Sequence, residues 1–300
     1  MADTASVAAV IVHYRTPEQT VRAARAVAET APGVAILVVD NSSGDAVRQR
    51  LAAEVPGARL VTEAENRGYG AACNRGARET AGDYLLFLNS DAAVAPGAVA
   101  ALVAALERDP RAAAAGPRLV NPDGSPQPSI QRLPTPWRIF CESSGLATLA
   151  GGRGFLRGHT KTREDHGLAR EVTALKGAAL LLRRSAFEEA GGFDEAFFLY
   201  AEETDLLARL SARGYRILYE PGARVAHQGG ASGGDALFGQ VHAGLSRYVE
   251  KHHGRSAARL AAASLWLGAA ARYAIALLTP GESGRRRRLR YRSALKIRSA

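Results

Sequence analysis

Residues 84–91 read Tyr-Leu-Leu-Phe-Leu-Asn-Ser-Asp, so an unbroken apolar run ends in an amide, a hydroxyl and a carboxylate. Apolar runs of this length are typical of strands buried on both faces of a parallel sheet. In open α/β sheets, ligands bind just beyond the carboxyl ends of such strands. Asn89 and Asp91 alternate along an extended segment, so both oxygens could face one hard cation such as Mg²⁺ or Mn²⁺. A polar turn after a core strand explains the same residues equally simply.

Strand and helix patterns alternate along the first hundred residues, which predicts an α/β fold with a mostly parallel sheet and right-handed crossovers. The predicted strands are 7–13, 34–39, 58–61 and 84–88. Residues 116–171 contain six prolines and few periodic apolar positions, and we expect a long, partly irregular loop region there. The later predicted elements are two short strands within 172–182, a helix over 203–213, strands at 216–219 and 224–226, and a helix over 235–252.

The net charge of +10 is concentrated at the C-terminus of the 300-residue chain. The last twenty residues carry eight Arg or Lys against one Glu, a net +7. A basic segment of this kind does not indicate a nucleic-acid groove through the fold, and we expect no nucleic-acid partner. Two cysteines are too few for a disulfide framework, and the apolar run at 7–12 is too short for a secretory signal. We therefore expect a cytoplasmic protein.

Polar side chains follow three of the predicted parallel strands, and the ends of these strands meet at one edge of the sheet. Together they offer an acceptor for a nucleobase, donors for phosphate and a metal ligand. The candidates at this edge are His13, Tyr14, Arg15, Asp40, Asn89, Ser90 and Asp91. Asn66 and Gly68 lie in a polar loop whose backbone donors, at a helix start, suit an anion or a ribose. A plain helix-entry turn is the alternative for this loop.

Glu202, Glu203 and Asp205 lie within four residues at a predicted helix N-terminus. One of them could simply complement the helix dipole. A carboxylate held ionised there could also act as a general base for an attacking hydroxyl group. His227 follows a predicted strand, where a lone histidine is usually structural. As a ligand beside Asp91, its neutral imidazole would suit Mn²⁺ as well as Mg²⁺.

The order and spacing of several motifs over residues 7–253 resemble the inverting family 2 glycosyltransferases, in particular their rhamnosyltransferase-like branch. The matching segments are Val38-Val39-Asp40-Asn41-Ser42-Ser43, Glu65-Asn66-Arg67-Gly68-Tyr69-Gly70 with Asn74 and Gly76, Leu88-Asn89-Ser90-Asp91, Lys176-Gly177-Ala178-Ala179, Gly191-Gly192-Phe193-Asp194-Glu195, Phe198-Leu199-Tyr200, Glu202-Glu203-Thr204-Asp205-Leu206, and His227 with Gly230 and Ser232. Each segment alone is weak, but the ordered set is specific.

The resemblance implies a glycosyltransferase-A fold, with a Rossmann-like, mostly parallel sheet, flanking helices and a C-terminal helical extension. It also implies a nucleotide-diphosphate sugar donor and Mg²⁺ or Mn²⁺. By position, Asp40 would bind the pyrimidine base. Asp91 would be the last Asp of the family's D-x-D motif and hold the metal, with Asn89 at the first position and His227 completing the site.

By the same resemblance, Glu203 aligns with the family's catalytic Asp, which leaves open whether Glu203, Glu202 or Asp205 is the base. Asn74 belongs to a donor-site motif, and Gly177 and Ala178 would line the donor sugar and the acceptor. The predicted catalytic domain is 1–253, divided into a nucleotide-binding half, 1–115, and an acceptor half, 116–253.

Residues 257–279 are rich in Ala and Leu but contain Arg259 and Arg272, which disfavours a simple transmembrane helix. An amphipathic helix at the membrane interface followed by a polybasic tail, together 254–300, fits better. A helix packed on the domain with a disordered tail is the alternative.

We expect an enzyme at the inner face of the cell membrane that transfers rhamnose from dTDP-rhamnose to a glycan or lipid-linked glycan acceptor. A UDP-hexose donor is the first alternative. A catalytically silent nucleotide-sugar-binding protein is the second.

Overall fold

The computed structural model describes residues 6–41, 45–160, 166–229 and 237–296. The strands are β1 (Val7–His13), β2 (Ala35–Asp40), β3 (Arg59–Thr62), β4 (Tyr84–Asn89), β5 (Ala92–Val94), β6 (Ala112–Val120), β7 (Ile130–Gln131), β8 (Arg170–Val172), β9 (Ala174–Leu175), β10 (Ala179–Arg183) and β11 (Arg216–His227). The α-helices are α1 (Pro17–Thr30), α2 (Asp45–Glu54), α3 (Tyr69–Arg78), α4 (Ala98–Arg108), α5 (Pro136–Ser143), α6 (Leu146–Leu149), α7 (Arg184–Glu189), α8 (Glu202–Ala212), α9 (Phe238–His253), α10 (Arg255–Leu277) and α11 (Gly281–Leu295).

The chain forms two units. The first comprises Met1–Ile130, Asp165–Ala196 and Glu202–Ser232, and the second comprises Gln131–Glu164, Phe197–Ala201 and Gly233–Ala300. The division into a catalytic domain over 1–253 and an extension over 254–300 stays a prediction. The motif residues Ser42, Ser43, Gly230 and Ser232, and the predicted helix start at 235, lie outside the described residues.

The first unit is built on a mixed sheet with the strand order β3-β2-β1-β4-β10-β6-β11-β5, and β8 pairs with β11. The four strands β3, β2, β1 and β4 are parallel, as predicted, and so are β6 and β11. All seven residues of β1 are buried, and its first six side chains enter one apolar cluster or the other on alternate faces of the sheet. Apolar runs without polar alternation therefore mark the central strands correctly.

The sequence reading was wrong at β6 and at β11. The segment that forms β6 begins with four alanines, which have low strand propensity, but it is held between β10 and β11. Gly116 is needed there, because a Cβ at this position would lie 2.7 Å from Cδ1 of Leu175. The two short strands predicted at 216–219 and 224–226 are one strand, β11, with a register shift between Glu220 and Arg224. The expected loop region also contains α5 and α6.

The second unit is helical in its C-terminal part, where α10 packs against α5, α9 and α11. The Arg272 guanidinium donates to the carbonyl oxygens of Glu142 and Ser143 at the end of α5. Arg288 of α11 donates to the carbonyl oxygens of Ala276 and Thr279, which satisfies acceptors at the C-terminal end of α10. The basic segment predicted as a tail is thus a helix over its described part.

Glu142, near the end of α5, accepts several hydrogen bonds within the second unit. It accepts hydrogen bonds from the backbone N–H groups of His159 (3.0 Å) and Thr160 (2.9 Å) and from the Thr160 hydroxyl. Burial acts to raise the pKa of Glu142, but the His159 imidazole, whose Nδ1 lies 3.0 Å from Oε2, and the bonds from Thr160 outweigh burial and lower the pKa to about 2. Because the folded pKa lies below the unfolded value, this stabilisation is present at neutral pH and is lost as the pH falls toward 2.

We expect Glu142→Gln to lower the free energy of unfolding by about 2 kcal/mol at pH 7, since the charge-assisted bonds are weakened. At pH 3.5 the loss should be smaller by about 1 kcal/mol, because the wild-type carboxylate is then partly protonated in the unfolded chain only. Urea titrations at both pH values measure this. The control is Glu250→Gln, which removes an exposed ion pair with Arg255 and should change little. An equal loss at both pH values would contradict the linkage.

Candidate functional site

The carboxyl ends of β1, β2 and β4 meet at one edge of the sheet, as the strand pattern predicts. His13 lies opposite Asp40, and Val12 lies opposite Asn89. His13 Nε2 is 4.0 Å from Asp40 Oδ1, and His13 Nδ1 is 2.8 Å from the Thr20 hydroxyl. Burial lowers the pKa of His13 against the opposing effect of Asp40, so the ring is neutral at pH 7. This edge therefore presents a buried carboxylate beside a neutral imidazole.

Tyr14 and Arg15, two of the other strand-end candidates, lie nearer the surface. Arg15 is exposed, has φ of 56°, and lies with its guanidinium carbon 5.1 Å from the centre of the Tyr14 ring. Ser90 is buried and accepts a hydrogen bond from the Thr16 hydroxyl. The Gly68 N–H donates to Asn66 Oδ1 at 2.9 Å, just before α3 begins. This internal bond favours the helix-entry turn for Asn66, although it does not test donor binding.

Asn74 uses its amide group inside the protein. Its Oδ1 accepts from the Phe193 N–H, and its Nδ2 donates to the Phe193 carbonyl and to Glu195 Oε1. A Cβ at Gly192 would lie 2.7 Å from Asn74 Oδ1, so the loop approaches this amide as closely as a glycine allows. Asn74 thus fastens α3 to the loop at 191–195, and its part in donor binding stays a prediction.

Asp91 and His227 come together because β5 pairs with β11, which places His227 opposite Ala92. Their facing atoms, Asp91 Oδ1 and His227 Nε2, are 3.4 Å apart. Both residues are buried, with exposed fractions of 8% and 5%. The donor set of one carboxylate oxygen and one imidazole nitrogen fits Mn²⁺ and Mg²⁺. Within the described parts of the chain, these two do not belong to a larger His, Cys, Asp or Glu cluster that could hold a metal. Further ligands would come from a phosphate group or water.

Gln127 and Lys176 complete this site. Lys176 lies in one of the matching segments, but neither residue was predicted as a site residue. Gln127 Oε1 lies 2.7 Å from His227 Nδ1 and 2.9 Å from Lys176 Nζ. Burial lowers the pKa of Lys176, while Asp91 and Glu203 act to raise it. The Lys176 ammonium group therefore lies within electrostatic range of both carboxylates, and its hydrogen bond is to Gln127. A polar residue between Pro126 and Pro128 was the available signal for Gln127, because prolines fix the backbone on both sides.

Glu203 lies at the start of α8, and its side chain packs against Gly177, the residue that follows Lys176. A Cβ at Gly177 would lie 2.9 Å from Glu203 Cγ, so this passage requires a glycine. Burial raises the pKa of Glu203, although the N–H groups of Gly177 and Thr204 and the charge of Lys176 partly oppose the shift. Its Oε2 is buried and has no hydrogen-bond partner among the described residues. An unengaged carboxylate oxygen with a raised pKa is suited to accept a proton.

Glu202 also has a buried Oε2 with no hydrogen-bond partner among the described residues, but the neighbours of Glu202 and Asp205 differ from those of Glu203. Burial, and then the charge of Glu203, raises the pKa of Glu202 well above its usual range, and the charge of Glu202 acts on Tyr69 and Cys73. Asp205 is fully buried and accepts from Arg209 Nε at 2.8 Å. Arg209 also donates to the carbonyl oxygens of Ala190 and Gly192, so Asp205 anchors a loop. Of the three, Glu203 is the one whose charge, like that of Asp91, acts on Lys176.

Comparison with known proteins identifies relatives of the chain. The family described as "Glycosyl transferase family 2" matches residues 9–191, which confirms the resemblance predicted from the motifs and the assignment to the glycosyltransferases. An N-acetylglucosaminyl-diphospho-decaprenol L-rhamnosyltransferase from Mycobacterium tuberculosis is 36% identical over 208 residues. That match covers 65% of this chain and 66% of the relative, slightly less than two thirds of its length.

Two solved structures share the fold at 17% sequence identity. GalNAc-T7, crystallised with UDP, GalNAc and Mn²⁺, superposes with a TM-score of 0.60 over 83% of this chain and 48% of its own. The mannosyltransferase PcManGT from Pyrobaculum calidifontis, in complex with GDP-Man and Mn²⁺, gives 0.59 over 97% of this chain and 85% of its own. These similarities confirm the glycosyltransferase-A-like fold with a mostly parallel sheet, flanking helices and a helical C-terminal region.

Proposed function

Since the chain belongs to glycosyl transferase family 2, we propose that it is a metal-dependent inverting glycosyltransferase that moves rhamnose from dTDP-rhamnose to a hydroxyl group of a lipid-linked glycan. The observation that carries this proposal is the pairing of Asp91 with His227, which Gln127 links to Lys176, next to Gly177 and the Glu203 side chain packed on it. The sugar and the acceptor class rest on the mycobacterial relative, whose name specifies rhamnosyl transfer to a diphospho-decaprenol glycan.

In this proposal the nucleotide lies along the strand ends. Asp40, buried beside a neutral His13, would accept a hydrogen bond from the pyrimidine base. Asp91 and His227 would hold Mg²⁺ or Mn²⁺ on the donor diphosphate, and a cation there supplies charge stabilisation for the leaving group. Mn²⁺ bound to the two structural neighbours supports this assignment.

Glu203 is the proposed general base. Its unengaged Oε2 takes the proton of the acceptor hydroxyl, whose oxygen attacks the anomeric carbon on the face opposite the leaving diphosphate. The bond to the diphosphate oxygen breaks as the new glycosidic bond forms, so the configuration inverts without a covalent enzyme intermediate. Lys176 favours the ionised form of Glu203 through its positive charge.

Purified full-length protein tests the proposal when it is incubated with dTDP-rhamnose, a diphospho-polyprenol-linked N-acetylglucosamine acceptor and Mn²⁺. We expect rhamnosyl transfer with inverted configuration, detected by NMR of the product, and no transfer in EDTA. If transfer occurs from a UDP-hexose but not from dTDP-rhamnose, the assigned donor is wrong and the UDP-hexose takes its place. Tight donor binding without transfer or donor hydrolysis would overturn the enzymatic proposal in favour of a silent binding protein.

We also propose that the second unit contacts the cytoplasmic face of the membrane. The 23-residue helix α10 is apolar and long enough to cross a membrane, judged by length and composition alone. Only 28% of its most apolar 18-residue stretch is buried. Parts of α10 pack against α5, α9 and α11, but several of its large apolar side chains are exposed. These are Leu260, Trp266, Leu267, Ile275 and Leu277, and Leu278 directly after the helix is exposed as well.

Basic residues adjoin this apolar surface. A cavity of about 780 Å³ is lined by Arg272, Ile275, Glu282, Ser283, Arg286, Arg287, Arg290 and Tyr291. Four guanidinium groups against one carboxylate make this cavity attractive to phosphate-bearing head groups. Exposed apolar residues beside a basic helix fit an interfacial helix on an anionic leaflet.

We expect the double variant Arg285→Glu/Arg287→Glu to bind vesicles containing phosphatidylglycerol at least tenfold more weakly than wild type. Each basic residue near an anionic surface contributes about 1 kcal/mol, and reversal adds repulsion. Co-sedimentation at fixed ionic strength measures the effect. The control Arg48→Glu/Arg78→Glu makes the same charge change on exposed positions of the first unit and should bind normally. Equal loss in both variants would assign the binding to net charge alone.

A further inference from the structure

We propose that Gln127 is a positioning residue that holds the imidazole of His227 in the tautomer whose Nε2 faces a divalent cation. This inference rests on the metal site of the proposed function. Gln127 would set the tautomer of His227 in the metal-free protein. The relevant groups all belong to the first unit.

The chemistry of its neighbours determines the orientation of the Gln127 amide. Lys176 Nζ lies 2.9 Å from one amide atom, and an ammonium group can only donate, so that atom is the oxygen, Oε1. The opposite atom, Nε2, donates to the carbonyl oxygen of His227 at 3.2 Å and to Asn121 Oδ1 at 2.9 Å. Both of these partners are acceptors. A flipped amide would therefore lose all three interactions.

The orientation of Gln127 then fixes the imidazole. His227 Nδ1 is 2.7 Å from Oε1, an atom that cannot donate, so Nδ1 must carry a hydrogen. In the neutral ring, Nε2 is consequently an acceptor with its lone pair exposed.

Nε2 lies 3.4 Å from Asp91 Oδ1, so two acceptors face each other in a buried place. A cation between them converts this unfavourable pair into a ligand set. Outer hydrogen-bond partners of metal-bound histidines fix the tautomer in this way, and their loss typically lowers metal affinity 10–100-fold. Gln127 and His227 are 100 residues apart in sequence, so the pair exists only in the folded chain.

Nitrogen-15 NMR of histidine side chains in the metal-free full-length protein at pH 8 tests the inference, with His227→Asn identifying the signal. We expect Nδ1 to be protonated and Nε2 unprotonated in wild type. Gln127→Met, similar in size but unable to accept through oxygen, should shift the ring toward the Nε2–H tautomer. It should also weaken Mn²⁺ binding 10–100-fold, measured by electron paramagnetic resonance. Gln127→Glu keeps an acceptor oxygen opposite Nδ1 and should retain the wild-type tautomer, although it loses the two bonds that Nε2 of Gln127 donates.

The melting temperature of each variant shows whether the fold persists. The inference is overturned if Gln127→Met keeps both the Nδ1–H tautomer and the wild-type Mn²⁺ affinity. It is also overturned if wild-type His227 carries its hydrogen on Nε2. Asp91→Ala separates this from the proposed function. If Asp91→Ala binds Mn²⁺ like wild type, the proposed metal site is wrong. If Asp91→Ala loses Mn²⁺ binding but Gln127→Met has no effect, only the role of Gln127 is rejected.

Discussion

Replacement of Asp91 by alanine is expected to lower kcat for sugar transfer by about 10³-fold or more and to remove the Mn²⁺ dependence of donor binding. The carboxylate supplies the anionic ligand of the proposed site, and without it the charge that develops on the leaving diphosphate loses its counter-charge. The loss should be severe because His227, a neutral ligand, would then be the only protein ligand left in the proposed site. Initial rates and donor titrations, each with and without Mn²⁺, measure both effects.

Asp123→Ala is the matched control for this experiment. Asp123 is an exposed carboxylate in a loop of the same unit, where it bonds only to Ser125 among the described residues. Its removal changes the net charge equally and should leave kcat unchanged. Wild-type turnover of Asp91→Ala, with a normal circular dichroism spectrum, would show that the metal assignment is wrong.

The fold near Asp91 was predictable from sequence because each of its strands is buried on both faces. An apolar run followed by polar residues marks both a core strand and its ligand-binding end, and β1, β2 and β4 all show this pattern. The same logic failed at β6, where alanine and Gly116 pack closely between neighbouring strands. Strand propensity depends on the local sequence, but the need for a glycine at position 116 comes from Leu175, far along the chain.

The candidate site residues divide in a similar way. Residue type and position predicted Asp91, His227 and Glu203, and the fold pairs Asp91 with His227 and packs Glu203 against Gly177. The same residue types elsewhere have internal partners. The pairing of Asp205 with Arg209 was readable as an i,i+4 spacing on a helix. The pairing of Asn74 with Phe193 spans 119 residues and was not readable. The pairing of Gln127 with His227 spans 100 residues and was not readable either, although the flanking prolines marked Gln127 itself.

Replacement of Glu203 by glutamine is expected to lower kcat by 10²–10⁴-fold while donor affinity changes by less than about threefold. Glutamine has nearly the same shape but does not accept a proton, and the donor diphosphate is proposed to bind at Asp91 rather than at Glu203. The pH profile gives a second readout. Because burial raises the pKa of Glu203, wild-type kcat should fall as the pH drops through that raised value, since the protonated acid is no longer a base. This acidic limb should disappear in Glu203→Gln.

Glu202→Gln and Asp205→Asn decide whether the base is correctly assigned. Glu202 lies toward Tyr69 and Cys73, so its replacement should reduce kcat by less than about tenfold and preserve the acidic limb. Asp205→Asn weakens the bond to Arg209, so it should lower the melting temperature without abolishing the acidic limb. If either variant instead loses the limb while Glu203→Gln keeps it, the proton passes to that residue. The unengaged Oε2 of Glu203 would then have to be explained by a role in binding the acceptor.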